Sequence, residues 1–343
     1  MNGQLRVLRA GRGETIQDGG RHGYMRYGVT SSGPMDWVAH STANRVLGNG
    51  PGAAAIEVAI SGIDLRCEVA PLRIAYAGGD FVFTYNGKRR LPNAGLVRLN
   101  PGDVVSVEAG SWGVWTYVAI PGGINVPPVL NSRSTNLGSQ FGGLDGRNLA
   151  PGDVLCPIAQ TSPETRNGLE AIAAPWLAKS TKRIRLILGP QDDFFESSSM
   201  ETLFREPYSV SPRFNRVGYW LDGPLFKHSS KGYNIVSDGI AFGSIQVPGS
   251  GQAVVLLADR QPTGGYPKIA TVIRADVGHL AQTRPGQELR FERCDFDQAR
   301  DALLELDQNL GRIAEYILPA GSTDSEYLLG CNLIDGVVSV GDG

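Results

Sequence analysis

Three times in this chain a Pro-Gly pair launches an apolar run: Pro101-Gly102-Asp103-Val104-Val105, Pro151-Gly152-Asp153-Val154-Leu155 and Pro285-Gly286-Gln287-Glu288-Leu289. Proline presets φ at the second position of a turn and glycine tolerates the positive φ that can follow, so each copy reads as a turn feeding a strand. The spacing is too irregular for a solenoid, and the third copy, in the second half, points to two related β units. Gly78-Gly79-Asp80, Gly122-Gly123-Ile124 and Gly264-Gly265-Tyr266 likewise each follow an apolar run. The 45 glycines and 21 prolines are scattered through a chain that is 41% hydrophobic, which describes a turn-rich β protein and not a disordered one.

With 343 residues the chain can form one large domain or two ordinary ones, each burying its own core. A net charge of -2 gives no reason to expect nucleic acid or an anionic membrane as partner. Cys67, Cys156, Cys294 and Cys331 are far apart and lack C-x-x-C or histidine partners, so buried free thiols in a reducing compartment are expected and a metal site is not. No signal-peptide core or membrane-length apolar run is present, and we read the protein as cytoplasmic.

Leu5 to Leu8 reads as a strand, followed by a long glycine-rich polar stretch to Asp36 in which Gln17, Asp18, Arg21, His22 and Tyr24 are candidates for chemistry or for holding the loop to itself. Pro34 opens a helix that Gly48 closes, with His40 and Asn44 one turn apart on a partly exposed face. Short strands are expected over 56–60, 72–77, 81–85, 96–99, 104–107, 115–120 and 154–157, with Asn86-Gly87 as a tight hairpin. That texture means a barrel or a sandwich. A linker is placed at 161–181. Beyond it come strands at 184–188, 235–236, 245–248, 253–258, 270–273 and 288–291, and helices over 190–204 and 296–310, the last burying Phe296, Ala299, Ala302, Leu303 and Leu306. The domains are 1–160, 183–312 and a tail, 313–343.

Two loops concentrate chemistry. Asn131 to Asn136 sets Arg133 among hydroxyl and amide side chains, a setting suited to a carboxylate or phosphate or to a self-satisfied loop. Ala258 to Val272 follows a buried strand and gathers Asp259, Arg260, Gly264, Gly265, Tyr266 and Lys268, either a ligand loop or an ordinary turn with solvated charges; its glycines allow positive φ and close approach. There is no Walker-type phosphate loop, dinucleotide fingerprint, H-E-x-x-H or G-x-S-x-G elbow, so catalysis would work by positioning and by charged or amide groups.

The runs GRGETIQDGGRHGYMRYGVTSSGPMDWVAHSTANRVLGN, VAIPGGINVPPVLNSRSTNLGSQFGGLDGRNLAPGDVL and GSIQVPGSGQAVVLLADRQPTGGYPKIATVIRADV resemble the allophanate hydrolase subunit 2 family, also called the KipA or biotin-dependent carboxyltransferase family. The resemblance implies a mainly β fold with a few helices, built as two tandem cyclophilin-like β-barrel domains. It also implies a subunit 1 (KipI-type) partner, a possible LamB/YcsF-type third subunit, and an ATP-dependent complex of the 5-oxoprolinase or allophanate hydrolase type acting on a small amide. One alternative is a carboxyltransferase taking carboxybiotin from a separate carrier protein; another is a non-catalytic regulator that antagonises a kinase inhibitor. The family block S-D/N-R-M-G-Y-R-L stands here as Phe214-Asn215-Arg216-Val217-Gly218-Tyr219-Trp220-Leu221, so Phe214 and Trp220 remove polar groups. For the amide chemistry we expect Asp259, Gln246 and Lys268 as catalytic residues, with Gln17, Arg21, Arg133, Arg260, Gly264, Gly265 and Tyr266 binding the substrate or its anion. The Gln17 loop, Arg133 and the 258–272 loop are expected to meet across a cleft.

Overall fold

The computed structural model describes residues 3–158, 169–180 and 183–319. In the first half, a six-stranded antiparallel sheet runs in the order Val154–Leu155, Gln4–Ala10, Ile63–Glu68, Val104–Ala109, Phe81–Tyr85 and Arg89–Arg90. It is buried on one side only: Ile63, Leu65 and Cys67 point inward, while the residues between them stay partly exposed, the two-residue period of a strand with one wet face. Its hairpin turn has Asn86 and Gly87 both at positive φ.

The second sheet orders Thr15–Gln17, Ala55–Ala59, Trp115–Ala119, Leu72–Gly78, Gly95–Leu99, Glu170–Ile172 and Ile317–Pro319. Its middle strands are buried on both faces. Ile56, Val58, Ile74, Tyr76 and Val118 enter the core between the two sheets. The intervening Ala55, Ala59, Ala75, Ala77, Trp115, Tyr117 and Ala119 belong to a second core shared with the other half of the chain. Alanine on that outer face leaves room for a helix, α1 (Trp37–Val46), to lie on the sheet. The same alternation puts Glu57, between Ile56 and Val58, on the outer face and fully buried.

The second half is an eight-stranded sheet in the order Glu288–Leu289, Tyr208–Phe214, Gly218–Asp222, Val254–Leu256, Ser244–Gln246, Lys268–Val272, Ile184–Leu188 and Phe291–Arg293, antiparallel except for its last pair. Helices α2 (Ser197–Arg205), α3 (Val277–Ala281) and α4 (Phe296–Gly311) accompany it. The fold is thus mainly β with a few helices, two tandem β-barrel units of the cyclophilin-like kind.

Several expectations need correcting. The first helix begins after Pro34, with Asp36 as N-cap accepting from the Val38 and Ala39 amides at 3.1 Å each, and His40 and Asn44 are buried rather than partly exposed. The helix expected over 190–204 is a 3₁₀ turn, Asp192–Phe194, followed by α2, and Thr15–Gln17, Ile63–Glu68, Tyr208–Phe214 and Gly218–Asp222 are among the strands added to those expected. Residues 235–236 form no strand; Val236 is 92% exposed on an irregular segment. Phe296 stands 77% exposed at the start of α4, because its inward stripe is Ala299, Ala302 and Leu306. Within the expected linker, Glu170–Ile172 pairs with Gly95-Leu96 and with Ile317–Pro319, while 159–168, 181–182 and the tail from 320, with Cys331, lie outside the described residues. Cys67, Cys156 and Cys294 are free thiols.

Candidate functional site

Where the outer face of the first half meets the second, a cleft of about 830 Å³ opens. The first half contributes Arg12, Gly13, Thr30, Ser61, Asn136, Ser139 and Asn148, and the second contributes Phe214, Asn215, Arg216, Asp259, Arg260 and Gln261. Its floor is a buried charge cluster. Arg216 grips Asp259 through Nε (2.9 Å) and Nη2 (3.2 Å), gives Nη1 to Glu57, and gives Nη2 to the Gly33 carbonyl at 2.7 Å. Gly33 holds φ at +88°, which a side chain would resist. The second oxygen of Glu57 accepts from the Met35 amide and the Tyr117 hydroxyl, both at 2.8 Å.

Burial works against the charge on Arg216, yet Asp259 and Glu57 more than offset it and hold the guanidinium above its ordinary pKa. Burial pushes Glu57 up, and Arg216 pulls it back. Arg216 spends its donors on protein acceptors and so organises the cleft floor.

Arg260 is the contrasting case. It is 6% exposed, and its Nε donates to the Ile240 carbonyl (3.0 Å) and its Nη1 to Ser31 Oγ (3.3 Å) and the Leu257 carbonyl (3.2 Å), but Nη2 faces only the Met25 sulfur at 3.9 Å. Among the described residues no carboxylate touches it; burial, then Arg274, outweigh the pull of neighbouring Asp259 and lower its pKa to about 10. A buried cation with no carboxylate in contact among the described residues, on a cleft wall, is a place for an anion.

The other candidates separate into scaffold and surface. Gln17 is fully buried, donating to Thr15 Oγ1 (3.0 Å) and the Thr135 carbonyl (3.1 Å) and accepting from the Gly33 amide (3.2 Å). Arg21 is fully buried too, bonded to the Val129 and Ser134 carbonyls at 3.0 Å each and stacked on Phe141. Arg133 donates to the Val126 carbonyl at 2.9 Å, while its backbone amide serves Asp18, whose carboxylate collects Ser132, Ser134 and the Gly20 amide as well. Burial alone would raise Asp18, but these donors leave its pKa below the ordinary value. Gln17, Arg21 and Arg133 knit the N-terminal loop to 126–136 and none lines the cleft; residues 28, 30 and 136–139 of those two segments do.

In the 258–272 loop, Asp259 and Arg260 reach the cleft while the distal part turns away. Gly264 pairs with Asp238 in a two-stranded ribbon, Gln246 Nε2 donates to the Tyr266 carbonyl at 3.1 Å, and buried Lys268 pairs with Asp238 at 2.8 Å. Neither Gly264 nor Gly265 takes a left-handed φ; Gly264 is small because a Cβ would lie 2.7 Å from Gln246 Nε2. A Cβ at Gly265 would meet only ordinary contacts, 3.6 Å from the Ile235 carbonyl oxygen, and Tyr266 is 40% exposed. Phe214 does line the cleft, whereas Trp220 packs on Ile240, Val254 and Leu256. Glu57, Arg216 and Arg12 are additions to the expected site residues. A lone acid inside the apolar run Ala55-Ile56-Glu57-Val58-Ala59, and an arginine at the centre of the quoted family block, were the available signals.

Residues 27–293 match the family described as "Carboxyltransferase domain, subdomain A and B". The chain belongs to this carboxyltransferase-domain family. It is similar to the 5-oxoprolinase C subunits of two bacteria. With that of Escherichia coli it is 36% identical over 304 residues, covering 87% of this chain and 94% of that protein. With that of Haemophilus influenzae it is 34% identical, covering 83% and 89%. The crystal structure of the Kluyveromyces lactis urea amidolyase superposes with a TM-score of 0.83 at 28% identity, over 92% of this chain but only 21% of that one. This carboxyltransferase-domain chain therefore spans about a fifth of the urea amidolyase. Among the described residues no helix is long and apolar enough to cross a membrane, and no group of His, Cys, Asp and Glu could hold a metal ion.

Proposed function

We propose that this chain fills the place of the 5-oxoprolinase C subunits in a cytoplasmic, ATP-dependent 5-oxoprolinase-type complex, working with a KipI-type subunit and a LamB/YcsF-type subunit. The observation that carries the reading is Arg260, a buried guanidinium without a carboxylate partner, on the wall of a cleft that also presents Asn136, Asn215 and Gln261. 5-Oxoproline combines a ring amide with a carboxylate. Arg260 answers the carboxylate, exposed Arg12 adds positive charge, and side-chain amides orient the ring amide beside Asp259. An amide is both a poor electrophile and a poor nucleophile, so its activation by ATP in the complex requires the substrate to be held while charge builds on it. The likeness to two 5-oxoprolinase C subunits over most of their length supports this substrate.

The similarity to urea amidolyase supports a second reading, carboxyl transfer from carboxybiotin on a separate carrier to a urea-type nitrogen. One experiment separates them. The purified chain, mixed with its KipI-type and LamB/YcsF-type partners, should consume 5-oxoproline with ATP and release glutamate. Inactivity there, with carboxyl transfer from carboxybiotin to urea, would replace the first reading with the second.

A further inference from the structure

Ser61, on the cleft wall, has a hydroxyl oxygen 2.7 Å from the Arg12 carbonyl and 2.7 Å from Glu14 Oε1. A serine hydroxyl carries one hydrogen and can donate to one of these oxygens. A carbonyl has no hydrogen to offer in return. Both short contacts are satisfied together when Ser61 donates to Arg12 and the carboxyl of Glu14 is protonated and donates to Ser61. The surroundings agree with that count. Glu14 is fully buried, and among the described residues its Oε2 has no hydrogen-bond partner and no cation forms an ion pair with it. The nearby Arg9 is taken bidentately by Asp64 at 2.9 and 3.0 Å, and Arg12 lines the cleft. An ionised oxygen left without a donor in such a place is far costlier than a neutral one. Burial accordingly pushes the Glu14 pKa up against the opposing pull of Ser61, backbone amides and Arg9.

We propose that Glu14 is a neutral carboxylic acid that supplies a proton to the cleft through Ser61. In the step, Ser61 Oγ–H turns from the Arg12 carbonyl to the nitrogen released as an amide C–N bond breaks. The Glu14 proton moves to Ser61 Oγ at the same time, leaving Glu14 as carboxylate, and the proton lost by the attacking water restores it. Glu14 is thus a positioning and proton-holding residue that acts through Ser61. The delivery step rests on the reading of the cleft as an amide site; the protonation of Glu14 does not.

The infrared difference spectrum of the isolated full chain, wild type minus Glu14→Gln at neutral pH, should show the C=O stretch of a protonated carboxylic acid, shifted in frequency in Ser61→Ala. Carboxylate bands alone would overturn the proposal, whatever the turnover. In the assembled complex, Glu14→Gln keeps a neutral donor to Ser61 but cannot release a proton. It should fold normally, lose on the order of 10²-fold in kcat with KM little changed, and lose the alkaline limb of the pH profile. Wild-type turnover in Glu14→Gln would refute delivery. A wild-type complex inactive on 5-oxoproline would count against the proposed function, and the infrared spectrum would still decide the state of Glu14.

Discussion

Arg216 and Glu57 come from opposite halves of the chain and form an ion pair that is almost completely buried, with Arg216 at 6% side-chain exposure and Glu57 at 0%. Asp259 closes the other side of the guanidinium, so one arginine joins the two β units and sets the floor of the cleft. Removing one member of such a cluster strands a buried charge. Arg216→Ala should cost about 3–5 kcal/mol in urea unfolding, and the double variant Arg216→Ala/Glu57→Gln should recover part of that loss because the stranded carboxylate is gone. Additive effects in the double-mutant cycle would contradict the coupling.

Arg260 should behave in the opposite way. It makes no contacting ion pair among the described residues, so Arg260→Met, which retains much of the length, should move the unfolding free energy by no more than about 1–2 kcal/mol through its released carbonyls. The same change should raise KM for 5-oxoproline in the complex tenfold or more. Unchanged KM would remove Arg260 from the anion site.

Asp18 makes stability depend on acid. Its folded pKa lies below the unfolded value, so its contribution is complete above the unfolded pKa of about 3.9 and is lost as pH falls through the folded pKa. Asp18→Asn should be less stable at pH 7 by about 1–3 kcal/mol and should show a flatter stability profile below pH 4. Parallel profiles for the two proteins would be the contrary result.

Gly278, in α3, lies against the cap of α1. A Cβ there would come within 2.5 Å of Asp36 Oδ1, while Asp36 Oδ2 accepts from Gln282 Nε2 at 2.8 Å. Gly278→Ala should therefore destabilise the contact between the halves by about 1–3 kcal/mol, although alanine is the better helix former. A rise in Tm would show that the contact yields freely.

Much of the framework was legible because its causes are local. Pro-Gly turns, two-residue alternation and the Asp295 capping box that starts α4 act within a few residues, and they mark most of the strands and the last helix. Ala258 to Val272 was legible as a chemically rich loop for the same reason, and its first two charged residues do line the cleft. Where its remaining polar residues are engaged was not legible, because a side chain's composition does not state its partner: Lys268 meets Asp238, thirty positions earlier, and Gln246 meets a backbone carbonyl. Gln17 and Arg21 in the glycine-rich loop, and Arg133 in 131–136, look like exposed polar groups, yet Gln17 and Arg21 are fully buried and all three donate to carbonyls of 126–136.

By itself the sequence determined a turn-rich β chain in two units, because strand period and turn chemistry are properties of neighbouring residues. Only the tertiary structure decided that Glu57, Arg216 and Asp259 form one cluster and that Arg260 stands with no carboxylate in contact. Those facts depend on which faces of two sheets meet, and on the removal of water when they do, neither of which is written in any one segment.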